Sequence, residues 1–457
     1  MTSRTLTLGA STYPLVLPNS RDPRLHVAAV IITIHVLGQT VLGFRVSIPQ
    51  ILAAILTCAV IEIALTFRGS RAIVWPASAM LTGSGVALIL RVVGTPVDQP
   101  WSTYGWYIFA AVAGLSLISK YVIKYRGSHV FNPSNLGLVV AFIVLGSSRI
   151  EPLDFWWAPL GPWMLAAYTV IIAGGLLITR RLRLLGLAAT FWVSLAIGMG
   201  ILAVSGHCMV ANWAFSPVCG TDFWRVIVTS PEVLIFLFFM ITDPKTVPTG
   251  RVGRIVFGLL VAIASTLLIA PQTNEFNTKV ALLSGLVVIC AARPLLDRLL
   301  PEPRSGADEV GRFARRLTLG DGGRGALRGA VGVALTLAAV LVLGVGIVAA
   351  GSPARGVVSA GTGEVLDTVP HAIDPGTLPA IAVDVPAWDE STKASIAQGI
   401  LVVLAENLEL ENQALLRRDP TILTVVDHGD RLAQMQARLR DAEATGTTVI
   451  EHYAFDD

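Results

Sequence analysis

Two short polar boxes interrupt the apolar runs of this 457-residue sequence, and their residue types could hold an anionic ligand. The first box is Asn132-Pro133-Ser134-Asn135, at the mouth of a short apolar run, with His129 just before it. Pro133 cannot donate a backbone hydrogen bond and Ser134 can cap a helix, so the box predicts a helix start. The free N–H groups of a helix start attract anions, and His129 could add a cation. An ordinary loop cap at the membrane surface accounts for the same spacing equally well.

The second polar box, Thr242-Asp243-Pro244-Lys245, ends another apolar run and is followed by Arg251. Its charged residues and Arg251 predict a cytoplasmic site for a phosphate or a partner loop, because cationic side chains form strong hydrogen bonds with phosphate. A solvated turn with basic residues is the alternative. Thr82 lies in the small-residue string Thr82-Gly83-Ser84-Gly85, which favours close helix contact or a backbone break. Nine residues are therefore candidates for cofactor binding: Thr82, His129, Asn132, Ser134, Asn135, Thr242, Asp243, Lys245 and Arg251.

Two carboxylates lie inside otherwise apolar runs, Glu62 and Glu232. Ionisable residues within membrane segments are costly and are usually functional. Both residues therefore become candidates for proton or ion handling, with structural pairing as the alternative for Glu62.

Composition identifies the class of protein that must position these residues. The chain is 53% hydrophobic and only 14% charged, with a mean hydropathy of +0.67. A soluble domain carries about 25% charged residues, so a soluble enzyme, a disordered scaffold and a disulfide-dense secreted domain are all excluded. Apolar runs of roughly 20 residues predict about eleven transmembrane helices. They cover residues 26–44, 47–67, 72–92, 105–123, 134–148, 162–179, 184–205, 223–241, 254–271, 279–299 and 326–350.

Basic residues predict the orientation of these segments, because Lys and Arg favour cytoplasmic loops. They cluster in alternate loops, which places the N-terminus in the cytoplasm and the C-terminus outside, in the cell (inner or plasma) membrane. The polar N-terminus lacks the apolar region of a cleavable signal peptide. From Gly351 onwards 7 Lys and Arg stand against 17 Asp and Glu, which makes the tail acidic. The basic excess is scattered over short loops, so we do not predict nucleic-acid binding.

Cys208 and Cys219 lie in one loop that the charge pattern places outside the cytoplasm. Disulfides persist there, so the pair predicts a disulfide bond. Two free thiols, or a metal pair with His207, are the alternatives. The remaining histidines of the tail are too scattered for a metal site, and we predict no metal.

The predicted domain organisation has six parts. They are a cytoplasmic N-terminal tail (1–25), a ten-helix membrane domain (26–300), a cytoplasmic basic loop (301–325), an eleventh transmembrane helix (326–350), a linker (351–376) and an extracytoplasmic domain (377–457). The pattern predicts that the last part is a small α/β domain. Its strands cover LPAIAVDVP, TILTVVDH and TTVIEHYAF, and each of its two helices has one apolar face. An interaction domain for a protein partner is favoured over an enzyme.

The order of several motifs carries a family resemblance over residues 50–300. They are Glu62, Thr82-Gly83, Phe131-Asn132-Pro133, Ile241-Thr242-Asp243-Pro244, Gly250-Arg251, Phe257-Gly258, Glu275-Phe276 and Arg293-Pro294-Leu295-Leu296-Asp297. The sequence resembles the RnfD/NqrB family, the membrane subunits of the Rnf and sodium-translocating NADH:quinone oxidoreductase complexes, and looks similar to its UnbU-type actinobacterial members. The resemblance implies two pseudo-repeated halves of a ten-helix bundle, with interrupted helices marking the site. It also implies electron transfer coupled to ions, through FMN attached to a Thr in a Ser-Gly-Ala-Thr box and through non-covalent riboflavin.

The sequence departs from the family at the flavin box, because no Ser-Gly-Ala-Thr occurs between the two polar boxes. We therefore expect FMN or riboflavin to be held non-covalently and do not expect covalent FMN. The favoured function is a membrane electron-transport subunit, a possible part of an ion-translocating oxidoreductase with other redox subunits as partners. The alternatives are a redox-inactive, UnbU-like permease or transporter, and a membrane scaffold for an extracytoplasmic partner. Membrane lipid is a partner in every case.

Overall fold

A computed structural model gives the fold of the chain. It describes residues 2–8, 11–19, 22–96, 99–153, 161–211, 217–301, 303, 305, 308–319, 326–355 and 394–451. The chain divides into two compact units, Met1–Val357 and Val358–Asp457, which we call the membrane unit and the C-terminal unit.

The described part of the membrane unit is mostly helical. Its helices are α1 Pro23–Thr40, α2 Ile48–Ser70, α3 Ala77–Ile89, α4 Trp106–Val122, α5 Pro133–Leu145, α6 Pro162–Arg181, α7 Leu185–Val204, α8 Gly220–Thr229, α9 Pro231–Ile235, α10 Arg251–Ile269, α11 Glu275–Ala291, α12 Arg293–Leu299, α13 Val310–Leu319 and α14 Ala326–Ala350. A π-helical segment, Phe236–Met240, continues α9. Local sequence explains several helix starts. Ser47 and Gln50 form a capping box at α2, and proline stands in the first turn of α1, α2, α5, α6 and α9.

The structure confirms a helical membrane protein. Five described helical segments are long and apolar enough to cross a membrane, and the bent pair α11–α12 makes a sixth. Shorter apolar helices, among them α3, α4 and α5, occupy other predicted spans. The count of eleven transmembrane helices stays a prediction. The predicted basic loop at 301–325 contains the ten-residue helix α13.

Aliphatic and aromatic side chains fill the core of the membrane unit, and large apolar side chains also cover its outside. Phe109, Phe191 and Phe257 are completely buried. On the outer faces, Val144 of α5 and Val60 of α2 are 72% and 65% exposed. Apolar surface on this scale is typical of helices that face lipid, because soluble monomers rarely expose large apolar patches.

Glycines allow close packing where helices cross. A Cβ on Gly83 of α3 would lie 2.4 Å from the Ala54 carbonyl oxygen of α2. A Cβ on Gly285 of α11 would lie 2.1 Å from Ser265 Oγ of α10. The small-residue string around Gly83 therefore serves close helix contact, which is one of the two roles that its sequence predicted.

Contacts between loops define two ends of the bundle. At the first, which we call the basic end, Arg254 Nη1 donates to the Arg183 carbonyl oxygen at 2.9 Å. At the opposite end, which we call the disulfide end, Val210 N donates to the Thr273 carbonyl oxygen at 2.8 Å. Short two-stranded ladders brace these ends: β4 Leu90–Val92 with β7 Ile150–Pro152, β5 Lys124–Tyr125 with β6 Ser128–His129, and β8 Cys208–Met209 with β9 Val218–Cys219.

The N-terminal tail forms a small sheet. β1 Thr2–Leu8 and β2 Ser11–Leu17 pair as an antiparallel hairpin, and β2 pairs in parallel with β3 Ile73–Val74. The parallel register of Leu15 with Ile73 connects the tail to the basic end of α2. The sequence did not predict this sheet.

The described part of the C-terminal unit consists of three helices, α15 Ala394–Arg417, α16 Pro420–Val426 and α17 Gly429–Thr445. The strand predicted over TILTVVDH is wrong, because this segment is α16. Asp419 accepts a hydrogen bond from Thr421 N at 2.9 Å, and Pro420 occupies the first turn, so local capping outweighs the β-branched run. No strand is assigned over 447–451 either. The strand predicted over LPAIAVDVP lies outside the described residues.

Candidate functional site

A central cavity of about 550 Å³ opens among α1, α3, α5, α6 and the π-helical segment. It is lined by seven of the nine residues that were predicted from sequence to bind a cofactor: Thr82, His129, Asn132, Ser134, Thr242, Asp243 and Lys245. The two polar boxes are thus neighbours in space although more than a hundred residues separate them in the sequence.

Asn132 joins the first box to the second. Its side-chain oxygen caps α5 by accepting hydrogen bonds from Asn135 N at 3.2 Å and from Ser134 Oγ at 2.9 Å. Its side-chain nitrogen donates to the Met240 carbonyl oxygen at 3.2 Å. The first turn of α5 is therefore partly capped by its own chain, and the Asn132 amide is fixed against the second helix break.

The second box follows a π-helical turn, a feature that often marks functional sites. Thr242 Oγ1 donates to the Phe238 carbonyl oxygen at 2.5 Å. Asp243 accepts from Lys245 N at 3.0 Å through one carboxylate oxygen. The other carboxylate oxygen lies 3.1 Å from His129 Nε2, and the histidine side chain is only 8% exposed. Asp243 therefore shapes the turn and orients the imidazole ring at the cavity wall.

Three cationic side chains also line the cavity at the basic end. Arg24 and Lys120 line it together with Lys245. Arg24 forms a bidentate ion pair with Asp22: Arg24 Nη2 donates to Asp22 Oδ2 at 2.6 Å, and Arg24 Nε donates to Asp22 Oδ1 at 3.0 Å. Hydrogen bonds from Arg24 hold the pKa of Asp22 below its usual value, so this cavity-lining carboxylate is ionised at neutral pH.

Glu62 reaches the cavity through Lys120, which was not among the site residues predicted from sequence. Lys120 Nζ lies 3.1 and 3.2 Å from the two Glu62 carboxylate oxygens and 3.3 Å from Ser78 Oγ. Tyr121 also donates a short hydrogen bond to Glu62. Glu62 is paired, as the structural alternative expected, but it is paired with a residue of the cavity wall.

Two predicted residues lie outside the cavity lining. Asn135 is buried, and its side chain donates to the Leu283 carbonyl oxygen at 3.0 Å, which ties α5 to α11. Arg251 is exposed at the start of α10, where the Asp308 carboxylate accepts from Val252 N at 3.0 Å. Arg251 does not line this cavity, so its role as a ligand stays a prediction.

Glu232 belongs to a second charged cluster, nearer the disulfide end. Lys279 Nζ lies 3.3 Å from Glu232 Oε1 and 2.7 Å from Glu275 Oε1. A small cavity of about 30 Å³ adjoins Glu232 and Lys279. Ile89 and Ile235 line both this small cavity and the central one. Neither Glu275 nor Lys279 was among the site residues predicted from sequence.

Cys208 and Cys219 form a disulfide between β8 and β9, so neither thiol is available to a metal. His207 is fully buried beside them, with its ring centroid 4.4 Å from that of Phe223. Burial lowers the pKa of His207 to about 4, so its ring is neutral at pH 7. Its backbone forms a β-bridge with Arg355, beyond the end of α14.

The fold and the cavity together define a helical membrane protein with a mostly apolar cavity between two interrupted helices, and polar and cationic side chains form part of the cavity wall. No protein-family model matches the chain. The chain is similar to the D subunit of the ion-translocating oxidoreductase complex of Citrobacter koseri, with 27% identity over 244 residues, 41% of this chain and 67% of the relative. The corresponding Escherichia coli protein is 24% identical over 245 residues, and the Cronobacter sakazakii one is 26% identical over 244. The chain spans about two thirds of the length of these relatives. They support the resemblance to the RnfD/NqrB family.

Proposed function

We propose that the chain is an integral membrane electron-transport subunit that holds FMN or riboflavin non-covalently in the central cavity. One observation carries the proposal: both polar boxes line a single cavity, and Asn132–Met240 and His129–Asp243 contacts connect them. The relatives, which are named as components of ion-translocating oxidoreductase complexes, point to the same class of function.

The residues of the cavity fit a flavin. A volume of about 550 Å³ lies within the usual range of ligand sites, roughly 300–1,000 Å³. Phe238, Phe239 and Ile235 provide apolar surface for a planar ring system. Thr82 and Ser134 offer hydroxyl groups for a sugar-like chain.

The charged wall suits the anionic end of FMN. Lys120, Lys245 and Arg24 would hold a phosphate, because cationic donors form the stronger class of hydrogen bonds. A bound flavin would supply one- and two-electron redox chemistry, whereas the protein supplies binding, orientation and electrostatics. Glu62 holds Lys120 in place, and Asp243 holds the His129 ring at the wall.

The charged cluster of Glu232, Lys279 and Glu275 supports a coupled proton or ion step. A volume of about 30 Å³ has room for a water molecule beside Glu232 and Lys279. Ile89 and Ile235 line both this volume and the central cavity. In the proposal, movement of these two side chains connects the two cavities. The proposed role of Glu232 is to exchange a proton or a cation across this barrier.

The proposed topology has the basic end in the cytoplasm and the disulfide end outside. The disulfide supports this orientation, because such bonds persist outside the cytoplasm. Asp308, before α13, contacts the basic end, whereas Arg355, after α14, contacts the disulfide end. A chain that crosses the membrane between them would carry the C-terminal unit to the outside, where it would bind a protein partner. Redox subunits of a complex in the inner membrane are the other proposed partners.

A transporter with the same cavity is the second candidate, and the Glu232–Lys279–Glu275 cluster is the observation that favours it. Such a protein would use the carboxylates to couple protons to solute movement and would need no flavin. Solute flux in proteoliposomes that is abolished by Glu232→Gln, in protein that binds no flavin, would support this candidate. Flux unchanged by Glu62→Gln and Glu232→Gln would exclude it.

Flavin binding tests the proposed function. The detergent-purified chain is titrated with riboflavin and with FMN, and binding is followed by quenching of flavin fluorescence. We expect Lys245→Gln to weaken the binding of FMN by about five- to tenfold more than the binding of riboflavin, since only FMN has the phosphate. Arg68→Gln, which removes an exposed arginine from α2 at the same end, is the matched control. Equal loss of both flavins in Lys245→Gln would contradict the placement of the phosphate.

A further inference from the structure

We propose that a cleft between Arg126 and Arg293 binds the head group of an anionic phospholipid. The cleft has a volume of about 480 Å³ and lies at the basic end. The two arginines, Thr249, Asp297 and Leu300 line it, and it shares no lining residue with the central cavity. It is therefore a separate site with its own chemistry.

The arginines leave a positive charge in excess. Arg126 Nη1 and Arg293 Nε each lie 3.9 Å from the same oxygen of Asp297, which is beyond hydrogen-bond distance. Arg293 Nη1 donates to the Lys245 carbonyl oxygen, but its buried Nε has no hydrogen-bond partner among the described residues. Two guanidinium groups around one carboxylate suit a phosphodiester, which can accept hydrogen bonds from both.

The surroundings of the cleft suit a lipid better than a free phosphate. α12 bends by 54° from α11 and presents Leu295 and Leu299, 57% and 70% exposed, one turn apart on one face. Such a helix at the end of a membrane segment lies in the interface, with its apolar face toward the acyl chains. A phospholipid would use both the cationic cleft and the apolar face, whereas inorganic phosphate would use only the first.

Lipid titration of the full chain tests the proposal. The delipidated protein in detergent receives dioleoyl phosphatidylglycerol, dioleoyl phosphatidylcholine or inorganic phosphate, and its thermal unfolding midpoint is followed. Phosphatidylglycerol should raise the midpoint in a saturable way, and phosphatidylcholine should not. Arg126→Gln should weaken the apparent affinity for phosphatidylglycerol by about fivefold. Arg68→Gln, an exposed arginine of α2 at the same end, should leave it unchanged.

Two further variants test whether the acyl chains and the arginine geometry contribute to lipid binding. Leu299→Ser should weaken the binding of phosphatidylglycerol, because the lipid has acyl chains. It should leave any shift of the unfolding midpoint by inorganic phosphate unchanged. Arg293→Lys keeps the positive charge but loses the planar guanidinium group, which can donate two parallel hydrogen bonds. It should therefore also weaken the binding of phosphatidylglycerol. If Arg293→Lys does not fold, Arg126→Gln decides alone, since Arg126 is 68% exposed. An equal response in wild type and Arg126→Gln, an equal loss in Arg68→Gln, or a full shift with phosphate alone would each overturn the proposal.

Discussion

His129 Nε2 lies 3.1 Å from Asp243 Oδ2, and this contact joins the two interrupted helices across 114 positions of sequence. Both side chains are largely shielded from solvent, so water competes less with this contact than with one at the surface. The contact fixes one edge of the central cavity. The coupling free energy between His129 and Asp243 therefore measures how much this contact stabilises the packing of the two polar boxes.

A double-mutant cycle of His129→Ala and Asp243→Ala should give a coupling energy of about 1–2 kcal/mol in unfolding free energy. The cycle cancels the separate loss of the Asp243 bond to Lys245 N. The control cycle combines His129→Ala with Asp297→Ala, a carboxylate of the same end that does not pair with His129, and should give less than about 0.5 kcal/mol. Equal coupling in both cycles would mean that the His129–Asp243 contact has no specific role.

Asn132→Ala should destabilise the protein more than Asn274→Ala. Both asparagines cap a helix, Asn132 at α5 and Asn274 at α11, each by accepting from the backbone N–H three residues later. Only Asn132 also donates to the Met240 carbonyl oxygen. We expect an extra loss of about 1 kcal/mol for that bond, seen as a lower thermal unfolding midpoint. Asn132→Ser keeps a capping oxygen and loses the amide donor, so it should fall between wild type and Asn132→Ala.

Replacing Cys208 and Cys219 by serine should lower the unfolding free energy by about 3 kcal/mol, because the disulfide no longer restrains the unfolded loop. The bond itself can be counted by mass. Of the four cysteines, only Cys58 and Cys290 should accept an alkylating reagent under denaturing, non-reducing conditions. All four should react after reduction. Four labels without reductant would contradict the disulfide.

The stability of the C-terminal unit should fall as pH rises from about 4 to about 6. Burial raises the pKa of Asp427 to about 6, and the neighbouring Glu411, itself paired with Arg431, adds to the rise. In this range the folded unit binds more protons than the unfolded chain, so raising the pH favours unfolding until the effect levels off above about 6. Hydrogen-exchange protection of α15–α17, corrected for intrinsic rates, measures this change. Asp427→Asn should flatten the profile, and an unchanged slope would exclude Asp427 as its source.

The sequence predicted the membrane class and both polar boxes, because each depends on local pattern. An apolar run of about 20 residues predicts a membrane helix by itself, and Asn-Pro or Asp-Pro interrupts one wherever it stands. The charged clusters depend instead on distant pairing. Lys120 meets Glu62 across 58 positions, and Lys279 meets Glu232 across 47, so no local pattern identifies them. For the same reason, the sequence could not show that Arg251 lies outside the cavity lining.

Local pattern also gave a wrong prediction in the C-terminal unit. The run TILTVVDH is rich in β-branched residues and predicts a strand, but it forms α16. Propensity is a weak signal over seven residues, and the Asp419 cap with Pro420 at the helix start decides the outcome. Burial of Leu423 against the neighbouring helices then holds α16 in place.

The most direct test of the central claim is the flavin content of the detergent-purified full chain before and after incubation with riboflavin or FMN. We predict visible flavin absorbance that stays with the protein through gel filtration and is released by denaturation, which shows that it is not covalent. Asp243→Ala and Asn132→Ala should reduce it, and Asn274→Ala, a matched cap outside the central cavity, should not. A folded chain that retains no flavin after either incubation, or one whose flavin survives denaturation, would contradict the account.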